Sequence, residues 1–182
     1  MLSPLPQRLP SLNDETDAIR TIVFSLADME QTAMAQYLFA MPAAAVEKAI
    51  VYPSERVQLR DGIGMMNLGD KTLTIVDLRQ KFTAIDPQHD TSKFLILFHT
   101  HAGELCGLPV KEAPVLMDIA PDTIRSIPLA YREVNQLSFA SRMAIVPQSE
   151  GIEPLQILLL GFDSAMPPSL DRQLNGSTSH LN

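Results

Sequence analysis

The sequence predicts an all-β protein, and three observations carry that reading. Its apolar residues fall into short runs of strand length, separated by turn-forming residues at fairly even intervals. The run Phe94-Leu95-Ile96-Leu97-Phe98 is apolar at every position, as expected of a strand buried on both faces. A faint internal repeat sets Leu38-Phe39-Ala40-Met41-Pro42 against Leu105-Cys106-Gly107-Leu108-Pro109 at an offset of 67 residues. The repeat implies two similar β-units in tandem, each a barrel or a sandwich.

In chain order the predicted strands are Thr21–Leu26, Tyr37–Met41, Val46–Tyr52, Gly64–Leu68, Thr72–Leu78, Phe94–Phe98, Glu104–Val110, Ala113–Ile119, Leu137–Val146 and Leu155–Leu160. Two stretches compete with strand. Pro42–Ala49 is rich in helix formers but too short for a helix that stands alone. Pro121–Ser126 suits a single helical turn. Residues 1–18 carry three prolines and an acidic cluster and read as a mobile leader. Residues 167–182 are polar and read as a frayed tail, which leaves residues 19–166 as the folded unit.

With 182 residues, of which 46% are hydrophobic and 19% charged, the chain can bury a sizeable core. The net charge is −7, and both halves of the chain are acidic. That balance argues against binding nucleic acid by phosphate neutralisation and against an anionic lipid surface. No run approaches the ~18 apolar residues of a membrane-spanning helix, and the first residues lack the basic, then apolar, pattern of a secretory signal. A cytoplasmic protein without direct membrane insertion is expected. The single cysteine, Cys106, excludes an internal disulfide and a cysteine-based metal cluster, and fits a reducing compartment.

Catalytic patterns are weak. Gly64-Met65-Met66-Asn67-Leu68-Gly69-Asp70-Lys71-Thr72 resembles a phosphate-binding loop, but Asp70 puts a carboxylate where phosphates would sit, and a strand pattern follows instead of a helix. A hairpin turn at Gly69-Asp70 accounts for the segment better. Gly69 is then expected to take a positive φ. His99 and His101 lie two apart, on one face of a strand, and with Glu104 would supply three metal ligands. A polar hairpin turn explains them more simply, though a ligand- or metal-binding regulatory domain using His99, His101 and Glu104 is the alternative reading. Cys106 sits in an apolar run and reads as structural. Asp77, Asp86 and Asp90 read as a strand end and a solvated loop. Met34, Met41, Met65, Met66, Met117 and Met143 read as core. No cofactor is expected.

The stretch Gly64-Met65-Met66-Asn67-Leu68, a turn, then Leu73-Thr74-Ile75-Val76-Asp77-Leu78-Arg79-Gln80-Lys81-Phe82 resembles the signature of the CheW-like family of chemotaxis coupling proteins, roughly G-(V/I)-x-N-L-R-G followed by D-L-R-x-(K/R)-F. The ten-residue interval between Asn67 and Asp77 is that of the family. Phe24-Ser25-Leu26, Ala45-Val46-Glu47-Lys48-Ala49-Ile50, Gly107-Leu108-Pro109-Val110 and Ala120-Pro121-Asp122-Thr123-Ile124 are similar to further family landmarks in the same order, so the likeness spans about residues 20–165.

The resemblance implies two small five-stranded, SH3-like β-barrels packed together, and no catalysis. It implies an adaptor that couples methyl-accepting receptor tips to the regulatory domain of a CheA-type histidine kinase in chemotaxis, phototaxis or twitching motility. Other CheW-like proteins are further partners it implies. Carried onto this chain, the partner-binding residues are Val46, Lys48, Ile50, Asn67, Leu68, Gly69, Asp70 and Gly107. The family's Arg-Gly after N-L is Gly69-Asp70 here, its Pro before the last apolar pair is Thr74, its Asp after G-L-x-V is Lys111, and its V-x-E-I glutamate is Lys48. On a regular strand Val46, Lys48 and Ile50 would share one face.

Overall fold

A computed structural model describes residues 18–30, 32, 34–82, 90–100, 102–134, 137 and 139–161. The leader, the tail and the 83–89 stretch containing Asp86 lie outside the described residues, apart from Ala18 of the leader. Twelve strands are formed among the described residues: β1 (Ile19–Phe24), β2 (Tyr37–Pro42), β3 (Val46–Val51), β4 (Gln58–Arg60), β5 (Ile63–Leu68), β6 (Lys71–Val76), β7 (Phe94–His99), β8 (Leu105–Val110), β9 (Val115–Ile119), β10 (Ile124–Ser126), β11 (Arg142–Val146) and β12 (Leu155–Leu159). One short helix, α1 (Leu129–Val134), precedes β11.

The helix-favouring alanines Ala43–Ala45 form one 3₁₀ turn and then give way to β3. Propensity sets the turn; pairing of the next residues with β7 ends it. Pro121–Thr123 is likewise a 3₁₀ turn, and the rest of that stretch pairs as β10. Each sheet has six strands where five were expected. The short strands β4 and β10, three residues each, lack the length for a visible apolar run.

The first sheet runs β10-β11-β12-β2-β1-β9 and the second β3-β7-β8-β6-β5-β4. In each, the two edge strands are consecutive in sequence and joined by a 3₁₀ turn, Pro121–Thr123 or Ser54–Arg56. That connection forces curvature. The outer strands of a flat six-stranded sheet lie ~24 Å apart. From the end of β9 at Ile119 to the start of β10 at Ile124 the chain spans at most ~18 Å. The first sheet therefore curls toward a barrel, and the second repeats its strand order.

The two sheets match strand for strand, with β1–β2 in one taking the place of β7–β8 in the other. Each hairpin meets its sheet through the one parallel pairing there, β2 with β12 and β8 with β6. The 67-residue repeat is this correspondence, since it superposes β2 on β8. The units are not simply tandem. The second sheet is built from residues 46–110 without interruption, and the first is split around it.

Strand periodicity then distributes the core. Phe24, Phe39, Met41, Ile96, Leu108 and Val110 form a cluster shared by both sheets. Val23, Ala40, Ile119, Ile124, Ala144 and Ile157 fill the first sheet. Met66, Leu73, Ile75, Leu95, Leu97 and Tyr52 fill the second. On β7, Leu95 and Leu97 point into the second sheet while Phe94, Ile96 and Phe98 pack between the sheets. This is the strand buried on both faces that its unbroken apolar run predicts.

Gly107 shows how tightly the second barrel is filled. A Cβ there would lie 2.8 Å from Ile75 Cδ1, 3.0 Å from Leu73 Cδ1 and 3.1 Å from Leu95 Cδ1. Three core methyls would have to move together for one added side chain. We expect Gly107→Val to lower stability by ~1–3 kcal/mol through overpacking, measured as a reduced urea midpoint at unchanged m-value.

Candidate partner-binding site

The hairpin of β5 and β6 begins with local sequence. Ile63-Gly64-Met65-Met66-Asn67-Leu68 alternates with a period of two, so Gly64 and Met66 turn inward and Ile63, Met65 and Asn67 turn outward. Facing them on β6 are Val76, Thr74 and Thr72. Gly69-Asp70 links Leu68 to Lys71, with φ +64 at Gly69 and no positive φ at Asp70. A two-residue turn with a left-handed first residue matches the right-handed twist of its strands, and glycine is the residue that enters it without strain. The hairpin turn replaces the phosphate-binding loop, and the positive φ expected at Gly69 is found.

At the tip, Thr72 Oγ1 donates to Asn67 Oδ1 at 2.8 Å across the ladder, which fixes the exposed amide. Leu68 is half-buried against the second core, while Gly69, Asp70 and Lys71 are exposed. Nothing lies within 4 Å of the Cβ position at Gly69. An arginine there meets no clash, and its cost is the backbone setting alone. We expect Gly69→Arg to lower stability by ~1 kcal/mol, read as a small fall in melting temperature, with the fold intact.

Strand β3 lies at one edge of the same sheet, paired only with β7. Its register shifts between Val46, opposite Phe98, and Lys48, opposite Leu97, so Glu47 is an extra residue. The expectation that Val46, Lys48 and Ile50 share a face is thereby corrected for Val46, while Lys48 and Ile50 keep one face, opposite Leu97 and Leu95. Val46 packs between the sheets and Ile50 packs against the interior of the second sheet, while Lys48 stays exposed. Glu47, on the bulge, lies 3.9 Å from Lys71 Nζ and 3.8 Å from His99 Nε2. Such exposed pairs contribute at most ~1 kcal/mol each, so they set the polarity of this surface more than its stability.

Of the eight predicted partner residues, Lys48, Asn67, Gly69 and Asp70 are thus exposed, and Val46, Leu68 and Ile50 are half-buried. Gly107 is buried inside the barrel. Two outward residues escaped sequence reasoning. Met65, read there as core, is 67% exposed beside Ile63 at 58%, whereas its neighbour Met66 is buried. The alternation around Gly64 was the signal that separates the two methionines.

His99 ends β7 and Glu104 precedes β8 across a turn in which Thr100 N–H donates to the Glu104 carbonyl. His101 lies outside the described residues, and no cluster of three or more His, Cys, Asp or Glu among the described residues could hold a metal. Cys106 is buried, and burial, with Glu104 nearby, pushes its thiol pKa up, away from a reactive thiolate.

Behind the hairpin lies the largest departure from sequence expectation. Asp77 and Asp90 are not solvated. Arg79 has no exposed side-chain surface and binds three carboxylates: Nε and Nη2 donate to Asp77 at 2.9 and 2.6 Å, and Nη1 donates to Asp28 at 2.9 Å and to Asp90 at 2.7 Å. Asp77 also accepts the Arg79 backbone N–H, capping the 3₁₀ turn Leu78–Lys81. Burial opposes the guanidinium charge, but Asp77 and Asp90 outweigh it and raise the Arg79 pKa. For Asp90, burial favours the neutral acid, yet bonds from Arg79 and Ser92 leave the pKa below its usual value. Burial, reinforced by these carboxylates, pushes the nearby Tyr52 to about 12. The Asp-x-Arg spacing was visible in sequence; the distant Asp28 was not.

A carboxylate with a depressed native pKa adds stability above its unfolded pKa of ~3.9, and that stability is lost as pH falls through the native value. We expect Asp90→Asn to cost ~1–3 kcal/mol at pH 7 and to flatten the decline of stability below about pH 4, measured by urea unfolding across pH.

Comparison with known proteins places this geometry. A family model described as CheW-like domain matches residues 20–158. No curated protein matches the chain. Among solved structures, the scaffolding protein TtCheW from Thermoanaerobacter tengcongensis is similar in fold, with a TM-score of 0.55 and 20% identity over 79% of this chain and 88% of that one. Among the described residues no helix is long and apolar enough to cross a membrane.

Proposed function

Because the chain belongs to the CheW-like family, whose model covers most of its length, we propose that it is a non-catalytic adaptor joining a receptor to a CheA-type histidine kinase. The observation that carries the reading is the exposed face of the β5–β6 hairpin. Ile63 and Met65 provide an apolar centre, Asn67 and Asp70 a polar end, and Lys48 a charge on β3 at the opposite edge of the sheet, the strand whose Glu47 reaches Lys71 of the hairpin. An apolar centre with a polar rim suits a protein partner. The adaptable thioether of Met65 suits a surface that must fit another protein's contour.

An adaptor needs a second surface. The first sheet supplies a candidate in β9, paired only with β1 and bearing exposed Val115 and Leu116. The kinase regulatory domain would take the hairpin face and the receptor tip, or another CheW-like protein, the other. Such a protein would work in the cytoplasm, recruited to receptor arrays.

The Gly69-Asp70 pair replaces the arginine of the family pattern with a bare backbone and a negative charge. Reversing the sign at one point redirects which partner is accepted. The partner of this chain is then expected to present a cation toward Asp70.

Lys48→Glu tests the reading. We expect it to weaken binding of a cognate CheA-type kinase regulatory domain by at least tenfold in a titration, while the melting curve moves by less than the ~0.5 kcal/mol typical of an exposed charge change. Undiminished binding by the folded variant would remove β3 from the interface.

A further inference from the structure

One end of the second barrel gathers polar groups from separate parts of the chain. Glu47 stands on the bulge of β3, Asp70 and Lys71 at the tip of the β5–β6 hairpin, and His99 at the end of β7. Strands β3 and β6 are not neighbours in the sheet, since β7 and β8 lie between them. The curl of the sheet still brings both to one carboxylate. Glu47 Oε1 lies 3.9 Å from Lys71 Nζ, and Glu47 Oε2 lies 3.8 Å from His99 Nε2. The bulge leaves Glu47 without a cross-strand partner, so its side chain is available to both.

Histidine is the side chain that ordinarily changes charge between about pH 5 and 8, whereas carboxylates and lysines hold theirs across that range. The His99 side chain is 47% exposed, so protons reach it from solvent. Its surroundings contain few other charges. On β8, Leu105 pairs with it and exposed Glu104 comes one residue before; on β3, Lys48 follows Glu47. Ala44, Ala45 and Phe139, which share an apolar wall with His99 toward the first sheet, carry no charge.

We propose that His99 is a proton switch on the partner-binding face. With the imidazole neutral, Glu47 compensates Lys71 alone, and Asp70 sets the sign that the hairpin tip offers a partner. A protonated imidazole competes with Lys71 for the Glu47 carboxylate, and this end of the barrel gains one positive charge. A charge-assisted N–H···O bond is about 2.7–2.9 Å long, so the carboxylate moves roughly 1 Å toward His99. Lys71 is then less compensated beside Asp70, and a cation brought toward Asp70 meets added repulsion. Binding of a cationic partner is strongest with His99 neutral and weakens as it is protonated. The partner in this inference rests on the adaptor reading, while the switch itself lies within one chain.

Two measurements on the full chain test it. The backbone amide signals of Asp70 and Lys71 are followed by NMR from about pH 8 to about pH 5.5. They are expected to shift in the parent chain and to lose most of that shift in His99→Gln and in Glu47→Gln. Over the same range, affinity for a cognate CheA-type kinase regulatory domain is expected to fall about threefold for the parent and far less for His99→Gln. At about 1 M salt, where charges are screened within about 3 Å, the fall should vanish. Tip signals that shift equally in His99→Gln, or do not shift in the parent, would overturn the proposal. A parent affinity that holds or rises on acidification would overturn it as well. A chain that binds the kinase domain at neither pH, while its tip signals follow His99, would overturn the adaptor reading and leave the switch standing.

Discussion

A guanidinium without access to water must be surrounded by acceptors, and much of this fold follows from that requirement at Arg79. Its three carboxylates come from separate places in the chain. Asp77 closes β6, Asp28 lies in the connection between β1 and β2, and Asp90 leads into β7. Asp28 takes φ 56, a left-handed setting that its short polar side chain tolerates, and also accepts from Thr91. One side chain thereby pins a loop of the first sheet to the point where the second sheet turns back on itself. Removing one member would leave buried charge uncompensated, which is more costly than the net gain from making the cluster.

With the interior so constrained, the outer face is left free to vary. Gly69-Asp70 differs from the family pattern, yet it disturbs no packing, because nothing lies near its Cβ position. Lys48 projects from a bulged edge where the ladder is already irregular. The bulge and the exposed lysine also protect that edge from pairing with a stray strand, as edge strands in stable proteins generally require. The surface that selects a partner and the interior that sets the shape are therefore separable in this protein.

What the sequence makes legible follows the same division. Short apolar runs broken by turn residues located ten of the twelve strands found among the described residues, since burial imposes those runs directly. The family signature at Gly64–Phe82 identified the fold before any coordinate, and the 67-residue repeat marked β2 and β8 as counterparts. Strands β4 and β10 were missed because three residues cannot display a period. The face shared by Val46 and Ile50 was misread because a bulge adds one residue to the count, and no single residue type announces a bulge. Asp77 was read rightly as a strand end, but Asp90 was misread as solvated because a carboxylate's environment depends on a partner brought in by the fold, here Arg79 together with Asp28 from 51 residues away.

The unequal construction of the two sheets has a consequence for synthesis. All six strands of the second sheet have been made once residue 110 is translated, so that barrel can close while the chain is still emerging. Hairpin β1–β2 is made first but lacks its flanking strand β9 until about residue 119 and β12 until about residue 159. At ~5–20 residues per second, the wait from Pro42 to Leu159 is roughly 6–23 s. Once residue 110 is made, the apolar faces of Phe39 and Met41 have the newly formed second barrel to lie against for the rest of that wait. The nascent chain is thus its own chaperone, with the barrel completed first sheltering the hairpin that must wait.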